Sequence, residues 1–404
     1  MSNKIVIAGA GHAAGQVVAS LKQKKFDGDI VLVGEEAFLP YQRPPLSKKF
    51  LAGEMAAERL HFKPESFYDD PRIDVRLNTR ITAIDRSAKS LRTEEGDSIS
   101  YDTLILALGA HAREVPVAGH ELEGVHYLRS IRDVNNIRQE LENAQQLVIV
   151  GAGYIGLEVA AVTRQLGLDV TVIEMADRVM SRVVSAEVAT FFQREHLARG
   201  VALRLATELG AFRGERRVAA VETTDGSTIE TDFVIVGVGI QPNTSLAEAA
   251  GLDTDNGIVV DERCQTDDPA IYAVGDCTSH PSSIYKRRLR LESVHNALEQ
   301  AKTAAANACG EDLRYSQVPW FWSDQYDLHL QIAGLSDGYD EIVMRGNMED
   351  RSFACLYLKE DRLIAVDAIN AARDFVQAKP LIASATKPDR EKLADPSTML
   401  KDLG

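Results

Sequence analysis

The chain has 404 residues, of which 45% are apolar and 26% are charged, and its formal net charge at pH 7 is −15. This composition is that of an ordinary globular protein of two or three domains. The acidic balance argues against binding to nucleic acid or to an anionic membrane surface, since both need a basic face. No apolar run approaches the ~18 residues of a transmembrane helix. The first apolar run, Ile5 to Ala8, reads as a strand and not as a signal-peptide core, so we expect a cytoplasmic protein.

The first motif is a strand followed by a glycine-rich turn. After Ile5 to Ala8 come Gly9, Gly11 and Ala14, and a helix is predicted over Gln16 to Lys24. This is the spacing of a Rossmann dinucleotide-binding turn. The first glycine permits the turn, the second lets the backbone approach a pyrophosphate, and the small third residue lets helix and strand pack closely. Such a motif is weak when it stands alone.

An acidic residue follows at the distance that a Rossmann site requires. The second predicted strand, from Asp29 to Gly34, ends at Glu35, which lies 20 residues past Gly15. A carboxylate at this place binds the adenosine ribose hydroxyl. Glu36 follows at once, so a solvated loop acid is the alternative, but the spacing favours Glu35.

The pattern then repeats in the middle of the chain. Gly151, Gly153 and Gly156 follow a second strand, and Glu174 ends the next strand, 18 residues past Gly156. Each copy continues into a β-rich segment and a closing strand, the first ending at Gly109 and the second passing Gly237 to Gly239. Two copies with their acids predict two dinucleotide-binding domains.

The last third of the chain changes character. A strand and glycine lead to Asp276 without a second glycine turn, and a helical pattern runs from Arg290 to Ala308. Beyond Pro319, a predicted hairpin over 353–369 and a helix from Ala371 to Ser384 indicate a small α+β domain. For the tail, Lys387 to Gly404, two outcomes are open: folding over the surface or fraying.

The four cysteines form no recognisable site. Cys264, Cys277, Cys309 and Cys355 include no C-x-x-C pair, and their spacing suits neither zinc nor an iron–sulfur cluster. We interpret them as buried or free thiols and predict no metal.

Several motifs together carry a family resemblance. They are the two fingerprints, Arg43-Pro-Pro-Leu-Ser-Lys48, Ala273-Val-Gly-Asp276 and Pro319-Trp-Phe-Trp-Ser-Asp324. From residue 3 to about 380 the chain resembles the NADH-dependent, FAD-containing ferredoxin reductases of bacterial oxygenase and cytochrome P450 systems. This putidaredoxin-reductase-like group belongs to the glutathione-reductase-like superfamily.

The resemblance implies an α/β fold with two Rossmann-like dinucleotide-binding domains and a C-terminal α+β domain. The FAD domain would comprise 1–112 and 243–318, the NAD domain 113–242, and the C-terminal domain 319–404. Two departures from the family pattern are Ala107-Leu108-Gly109, where Ala-Thr-Gly is usual, and Ala14 in place of glycine.

The resemblance also implies site residues. For FAD they are Gly9, Gly11, Ala13, Ala14, Glu35, Arg43, Lys48, Ile81, Arg129, Asp276 and Val294. For NADH they are Gly151, Gly153, Tyr154, Ile155, Gly156, Glu158, Glu174 and Gly239. Lys48, near flavin N5, and Glu158, its partner, would be the catalytic pair.

Plainer interpretations stay open for several of these residues. Lys48 could be a solvated lysine, although the rigid Pro-Pro-Leu-Ser segment favours a functional one. Arg129 could equally pair with a surface carboxylate. Trp320 and Trp322 could be core aromatics.

Glu174 predicts the choice of nicotinamide cofactor. Its carboxylate can accept hydrogen bonds from a free ribose 2′-hydroxyl and would repel a 2′-phosphate. Met175 and Ala176 offer no cation, and Arg178 lies one turn further on. We therefore predict NADH over NADPH.

The missing cysteines predict the route of the electrons. No cysteine precedes Cys264, and Ser47 stands in the Pro-Pro-Leu-Ser segment, so no thiol relay is available. Reduced FAD would pass single electrons to an external [2Fe–2S] ferredoxin. A Rieske-type or other higher-potential protein fits better than a plant-type ferredoxin near −400 mV.

An acidic ferredoxin would need a basic docking patch. The densest cluster is Lys286 to Arg290, with Lys302 on the next helix, and a solvated turn is the equal alternative. The other functions left open are a rubredoxin reductase or related NADH oxidoreductase, and an interaction flavoprotein like apoptosis-inducing factor. A monomer is expected.

Overall fold

The computed structural model describes residues 3–403, and the chain forms two compact units. The first comprises 3–43, 57–111 and 241–319, and the second comprises 44–56, 112–240 and 320–403. The segment 44–56, which carries Lys48, therefore belongs to the second unit although its neighbours in sequence belong to the first. The three-domain division with its boundaries stays a prediction.

The helices and strands are numbered in chain order. The helices are α1 (His12–Gln23), α2 (Ile131–Leu141), α3 (Tyr154–Gln165), α4 (Ala186–Ala198), α5 (Ser245–Ala249), α6 (Val294–Ala308), α7 (Ala372–Ala383) and α8 (Arg390–Ala394). The strands up to the second glycine turn are β1 (Lys4–Ala8), β2 (Asp29–Val33), β3 (Ile73–Arg76), β4 (Ile81–Asp85), β5 (Ser90–Thr93), β6 (Ser98–Ser100), β7 (Thr103–Leu106), β8 (Ala110–Ala112), β9 (Val125–Tyr127) and β10 (Gln146–Val150). Those up to residue 289 are β11 (Asp169–Ile173), β12 (Ala202–Arg204), β13 (Leu209–Gly214), β14 (Val218–Thr223), β15 (Thr228–Glu230), β16 (Phe233–Val236), β17 (Ile240–Pro242), β18 (Ile258–Val259), β19 (Ile271–Ala273), β20 (Thr278–Ser282) and β21 (Arg287–Leu289). The last are β22 (Trp320–Gln325), β23 (Leu328–Gly334), β24 (Glu341–Asn347), β25 (Ser352–Lys359) and β26 (Arg362–Ile369). Within residues 3–403, no helix combines the length and apolar composition needed to span a membrane.

The first unit is built on a parallel sheet in the order β19-β7-β1-β2-β3. Ile5 and Ile7 point to one face, where α1 and α6 cover them, and Val6 and Ala8 point to the other, towards the sheet β4-β5-β6 and α5. Burial on both faces explains why these strands are continuously apolar.

Two helices begin at other residues than the sequence predicted. Helix α1 begins at His12, not at Gln16, because Gly11 is its N-cap and the Gly15 amide already bonds to the Gly11 carbonyl. Helix α6 begins at Val294, since the Ser293 side chain caps it by accepting from the Asn296 amide. Both predicted starts were wrong by about one turn.

The second unit contains a matching parallel sheet in the order β12-β11-β10-β16-β9, beside the antiparallel sheet β13-β14-β15. The two parallel sheets differ in where one of their edge strands stands in the sequence. In the first unit the edge strand beside β7 is β19, which comes late in the chain. In the second unit the corresponding edge strand, beside β16, is β9, which precedes the glycine turn.

The C-terminal part is an antiparallel sheet in the order β22-β23-β26-β25-β24, with α7 packed against it. The tail folds onto this sheet. Arg345 of β24, which is 1% exposed, donates to the carbonyls of Leu393 and Thr398, and Leu393 and Leu400 are fully buried. Of the two outcomes left open for the tail, the structure shows the packed one for residues up to 403.

Candidate functional site

The first glycine of each turn is fixed by the strand beside it. Gly9 and Gly151 have φ values of +111° and +102°, which L side chains rarely adopt. A Cβ on Gly9 would lie 2.2 Å from the Ala107 carbonyl oxygen, and one on Gly151 would lie 2.5 Å from that of Gly237. The end of the closing strand therefore demands glycine at both places.

The second glycine of each turn faces open space. A Cβ on Gly11 or Gly153 would meet no protein atom within 4 Å. Each is the N-cap of the following helix, α1 or α3, and neither helix has a side-chain cap or an acidic residue in its first turn. By contrast, serine side chains cap α2, α4 and α6. The open approach and the uncapped amides suit a pyrophosphate, so both turns fit a dinucleotide.

The third position differs between the turns. A Cβ on Gly156 would lie 2.1 Å from the Gly151 carbonyl oxygen, so only glycine fits there. Ala14, its counterpart, is fully buried in the first unit's core, and Ala13 beside it is 7% exposed. The alanine departure is thus accommodated by the packing.

The two acidic residues, Glu35 and Glu174, also differ in their position relative to the strand that precedes them. Ala8 pairs with Val33, and Val150 pairs with Ile173, so Glu174 corresponds to Gly34 and not to Glu35. Glu174 accepts from the Ala152 amide at 2.7 Å and from the Ala176 amide at 2.9 Å. Its carboxylate therefore closes the second glycine turn. Glu35 is exposed one residue beyond the matching position.

Two arginines follow Glu174 in the chain, Arg178 and Arg182. Arg178 donates from Nη2 to the Ser181 carbonyl at 3.1 Å, and its Nε is buried without a partner. Arg182 was not considered from the sequence, yet its Nη2 would lie 3.9 Å from a Cβ on Gly239, whose φ is +106°. The Gly239 carbonyl accepts from the Arg113 amide at 2.9 Å.

Arg43 is held in a compact triad within the first unit. It donates to Glu36 at 2.7 Å and to the Tyr41 hydroxyl at 3.0 Å, and Tyr41 donates to Glu36 at 2.7 Å. Burial lowers the pKa of Arg43, but Tyr41, Glu36 and Asp276 together raise it, with a net rise. Glu36, which the sequence analysis noted only as the neighbour of Glu35, is the partner of Arg43.

Asp276 lies on a turn that packs against the first glycine turn. The φ of Gly275 is +85°, and a Cβ on this residue would lie 3.4 Å from the Cβ of Ala13. The Gly275 amide donates to Gln300 at 2.7 Å, and the Thr278 hydroxyl donates to the same oxygen at 2.9 Å. The structure thus brings Asp276 to the side of Gly11 and Ala13. Asp276 is half-buried, three residues beyond the end of β19.

Lys48 and Glu158 form an ion pair inside the second unit. Lys48 Nζ lies 2.6 Å from Glu158 Oε2, and the Ser47 hydroxyl donates to the same oxygen at 2.5 Å. Glu158 is 4% exposed. It lies one turn beyond Tyr154 on α3, where the Tyr154 hydroxyl is buried and Ile155 is 41% exposed. The predicted pair is present, and its role at flavin N5 stays a prediction.

The other predicted residues are placed as follows. Ile81 begins β4 and packs against the first unit's core. Val294 is half-buried at the first position of α6. Arg129 immediately precedes the Ser130 cap of α2, and its amide donates to Asp133 at 3.0 Å. The cofactor roles of these three residues stay predictions.

The four cysteines are unpaired thiols whose surroundings disfavour the thiolate. Burial raises the pKa of Cys277 to about 11 and that of Cys355 to about 12, and it also raises the pKa of Cys264 and Cys309. A redox-active cysteine needs a lowered pKa and access to solvent. These thiols are therefore poor electron carriers. Within residues 3–403, no group of His, Cys, Asp and Glu could hold a metal ion.

Most cations of the predicted docking cluster bind acceptors within the protein. Arg288 donates to the carbonyls of Val260 and Ser279, Arg290 pairs with Glu292 at 2.6 Å, and Lys302 pairs with Glu299 at 2.5 Å. The strand β21 replaces part of the expected turn.

Residues 3–301 match the family described as pyridine nucleotide-disulphide oxidoreductase, and residues 320–404 match the reductase C-terminal domain. The chain belongs to the pyridine nucleotide-disulphide oxidoreductase family. The predicted oxidoreductase class, α/β fold and cofactors, FAD with NAD(H), are thereby confirmed for this family member.

Individual relatives show which members of the family the chain is similar to. The chain is 43% identical to the 5,5'-dehydrodivanillate O-demethylase ferredoxin reductase subunit of a Sphingobium species, over 98% of this chain and 97% of the relative. It is 41% identical to a rubredoxin-NAD(+) reductase of Pseudomonas putida, over 91% and 95%. Among solved structures, the covalent putidaredoxin reductase–putidaredoxin complex superposes with a TM-score of 0.96 at 40% identity, over 99% and 98%. The predicted resemblance to the putidaredoxin-reductase-like group is confirmed.

Sequence reasoning missed two further partners of the predicted residues. Ser47 was noted only as a position without a thiol, yet it binds Glu158. Ser323, from the Pro-Trp-Phe-Trp-Ser-Asp motif, donates to the other oxygen of Glu158 at 2.7 Å. The alternation of the motif places Ser323 on the face of β22 opposite to Trp320 and Trp322, but it does not show which of the two faces meets α3.

Proposed function

We propose that this member of the family is an NADH-dependent, FAD-containing ferredoxin reductase that supplies an oxygenase or a cytochrome P450. The observation that carries the proposal is the cluster of Ser47, Lys48 and Glu158 together with four buried or partly buried thiols of raised pKa. It offers an ion pair and a hydroxyl, with no thiol through which electrons could pass.

Bound FAD would supply the chemistry, since a flavin accepts a hydride from NADH and releases electrons one at a time. The first turn, with Gly9, Gly11 and Ala14, would hold the FAD pyrophosphate, helped by Asp276 and Arg43. The second turn, with Gly151, Gly153 and Gly156, would hold that of NADH. Lys48, paired with Glu158, would favour negative charge that develops on the flavin.

The preference for NADH rests on Glu174. Its two oxygens accept backbone hydrogen bonds from Ala152 and Ala176, which anchors an acid at the turn where a 2′-phosphate would lie. Arg182 and Arg178 are the cations that oppose this preference. Comparable kcat/KM values for NADH and NADPH would refute it.

The acceptor would be a [2Fe–2S] ferredoxin, and a Rieske-type or other higher-potential protein suits NADH better than a plant-type one. The names of the relatives support a ferredoxin first and a rubredoxin second. We also propose a cytoplasmic location and a monomeric protein, which cell fractionation and sedimentation would test.

Reconstitution tests the proposal directly. The purified holoenzyme should reduce a [2Fe–2S] ferredoxin with NADH and support turnover when an oxygenase is added. Lys48→Ala should slow flavin reduction by NADH at least tenfold while leaving FAD bound, and Lys49→Ala, its exposed neighbour, serves as the control. Faster turnover with rubredoxin than with any ferredoxin would favour the rubredoxin alternative. Slow reoxidation with every carrier would favour the interaction flavoprotein.

A further inference from the structure

The strand β22 presents alternate residues to helix α3. Phe321, Ser323 and Gln325 lie on one face of the strand, and Tyr154 and Glu158 lie one turn apart on the helix. The Phe321 and Tyr154 rings pack edge to face at 5.2 Å, and the Ser323 hydroxyl donates to Glu158 Oε1 at 2.7 Å. The C-terminal sheet therefore contributes a polar partner to the catalytic pair.

Behind Ser323 the hydrogen bonds continue to the end of the strand. Gln325 Nε2 donates to the Ser323 hydroxyl at 3.2 Å, and Gln325 Oε1 lies 2.8 Å from His196 Nε2. The His196 Nδ1 atom lies 3.3 Å from the Tyr326 hydroxyl. Ser323, Gln325 and His196 are 1%, 0% and 0% exposed, so water does not compete for these bonds.

The direction of every bond in this series follows from its chemistry. Because the Gln325 amide nitrogen donates to Ser323, its oxygen must accept from His196 Nε2. Burial lowers the pKa of His196 to about 4, so the ring is neutral at pH 7 and its Nδ1 accepts. Burial raises the pKa of Tyr326 to about 12, so its hydroxyl keeps the proton that it donates. All the donors point towards Glu158.

Glu158 is the acceptor at which the series ends. Oε1 accepts from Ser323, and Oε2 accepts from Ser47 and Lys48. A carboxylate is an acceptor only, whereas a protonated carboxyl would have to donate where each of these neighbours already donates. The surroundings therefore match the anion and not the acid.

We propose that Ser323, Gln325 and His196 are positioning residues that hold Glu158 as an anion directed at Lys48. The proposal rests on the proposed function only for its catalytic consequence, since the geometry stands without it. The C-terminal sheet thereby acts on the hydride-transfer site through Glu158, with no residue of the series needing to touch a cofactor.

Tyr326, the last residue of the series, is held by contacts with its neighbours. Tyr326 has φ +58°, an unusual conformation for a bulky residue. Its ring packs at 5.1 Å from the His196 ring, and the Arg199 guanidinium lies 4.3 Å from its centroid. These two contacts hold the Tyr326 hydroxyl beside His196 Nδ1.

Infrared spectroscopy of the holoenzyme without NADH tests the proposal. The signal of the Glu158 carboxylate is identified as the band that Glu158→Gln removes. Ser323→Ala should shift the frequency of this band, because the anion loses a donor. Gln325→Met should move it in the same direction by less. Asp324→Asn, on the opposite and more exposed face of β22, should leave it unchanged.

Kinetics and a conservative variant complete the test. Ser323→Ala should lower the rate of flavin reduction by NADH about tenfold, and Ser323→Thr should restore it. In the Glu158→Gln background the same change should have no further effect. An unmoved carboxylate band in Ser323→Ala or Gln325→Met, or an undiminished effect in the Glu158→Gln background, would overturn the proposal. The infrared measurement needs no electron acceptor, so an error in the proposed function would not disturb it.

Discussion

At the scale of single residues, the two glycine turns differ in what an added methyl group would meet. Gly9 and Gly151 are held against a neighbouring carbonyl, whereas Gly11 and Gly153 face open space and have ordinary backbone conformations. Substitution of the first pair should damage the fold. Substitution of the second pair should damage only what lies in the open space, which makes that pair a selective probe of the bound dinucleotide.

The variants Gly11→Ala and Gly153→Ala test which of the two glycine turns holds which cofactor. Gly11→Ala should weaken FAD binding at least tenfold, about 1.4 kcal/mol, with little change in the thermal stability of the apoprotein. Gly153→Ala should leave FAD bound and raise KM for NADH by a similar factor. FAD affinity is measured by titration of apoprotein and KM by steady-state kinetics. Each variant is the control of the other, and a reversed pattern would exchange the two assignments.

Residue chemistry explains much of the success and the limits of the sequence predictions. Gly9 and Gly151 were predictable because a turn beside a parallel strand constrains backbone directly. Lys48 and Glu158 were predicted as a pair through the family resemblance. Ser323 was not, because its contact with Glu158 depends on which face of β22 meets α3, and local pattern does not give that. Glu36 was missed since its partner Arg43 depends on the path of a loop.

At the scale of elements, the hairpin of β25 and β26 buries a carboxyl group. Asp367 is fully buried, and its Oδ2 accepts from Tyr357 at 2.5 Å while Oδ1 has no partner. Burial raises the pKa of Asp367 to about 7, against ~3.9 in an unfolded chain. The folded protein thus keeps a proton that the unfolded chain releases, and the stability from this group is lost as the pH rises from about 4 to 7.

Asp367→Asn should therefore stabilise the protein most at high pH. The gain in free energy of unfolding should reach about 4 kcal/mol above pH 7 and become small near pH 4, because three pKa units correspond to roughly that energy. Thermal unfolding midpoints at pH 4.5 and 8 measure it. Asp350→Asn, at an exposed position after β24, is the control. An equal gain at both pH values would contradict the buried, protonated state.

Helix α4 contributes a buried group, His196, whose pKa is shifted in the opposite direction to that of Asp367. The pKa of His196 is lowered to about 4 by burial, against ~6.5 when unfolded. The unfolded chain binds the proton that the folded chain refuses, so this stability is present above pH 6.5 and lost as the pH falls towards 4.

His196→Gln should make the free energy of unfolding fall less steeply as the pH is lowered. The penalty that it removes is about 3 kcal/mol at pH 4, from a shift of roughly 2.5 units. Above pH 7 the variant should be less stable than the parent, because the bonds to Gln325 and Tyr326 are weakened. Urea unfolding at pH 4.5 and 7.5 measures the difference, with the exposed His120→Gln as control. An acid loss as steep as in the parent would show that His196 is not its source.

At the scale of the whole molecule, the net charge of −15 is the dominant electrostatic feature. An acidic ferredoxin would be repelled unless it meets a local positive region. Of the predicted cluster, Arg288, Arg290 and Lys302 bind acceptors in the protein, and Lys286 is an exposed cation immediately before β21.

Lys286→Glu should lower kcat/KM for ferredoxin by about tenfold at low ionic strength and reduce its salt dependence. Ferricyanide reduction should not change, because a small acceptor needs no docking. Lys89→Glu is a matched control, since Lys89 and Lys286 are both exposed lysines with φ near +50°. Equal effects from both lysines would assign the change to net charge and reject a docking site at this cluster.

The path of the chain between the two units has a consequence for how the protein is made. The chain passes from one unit to the other five times, after residues 43, 56, 111, 240 and 319. On the ribosome, where roughly 5–20 residues are added each second, the first sheet gains its last strand, β19, only after two-thirds of the polypeptide has emerged. Glu158 must wait longer still, until Ser323 is synthesised. Completion of the ion-pair site therefore waits for the C-terminal sheet, and a nascent chain arrested before residue 320 should carry this acid without its C-terminal donor.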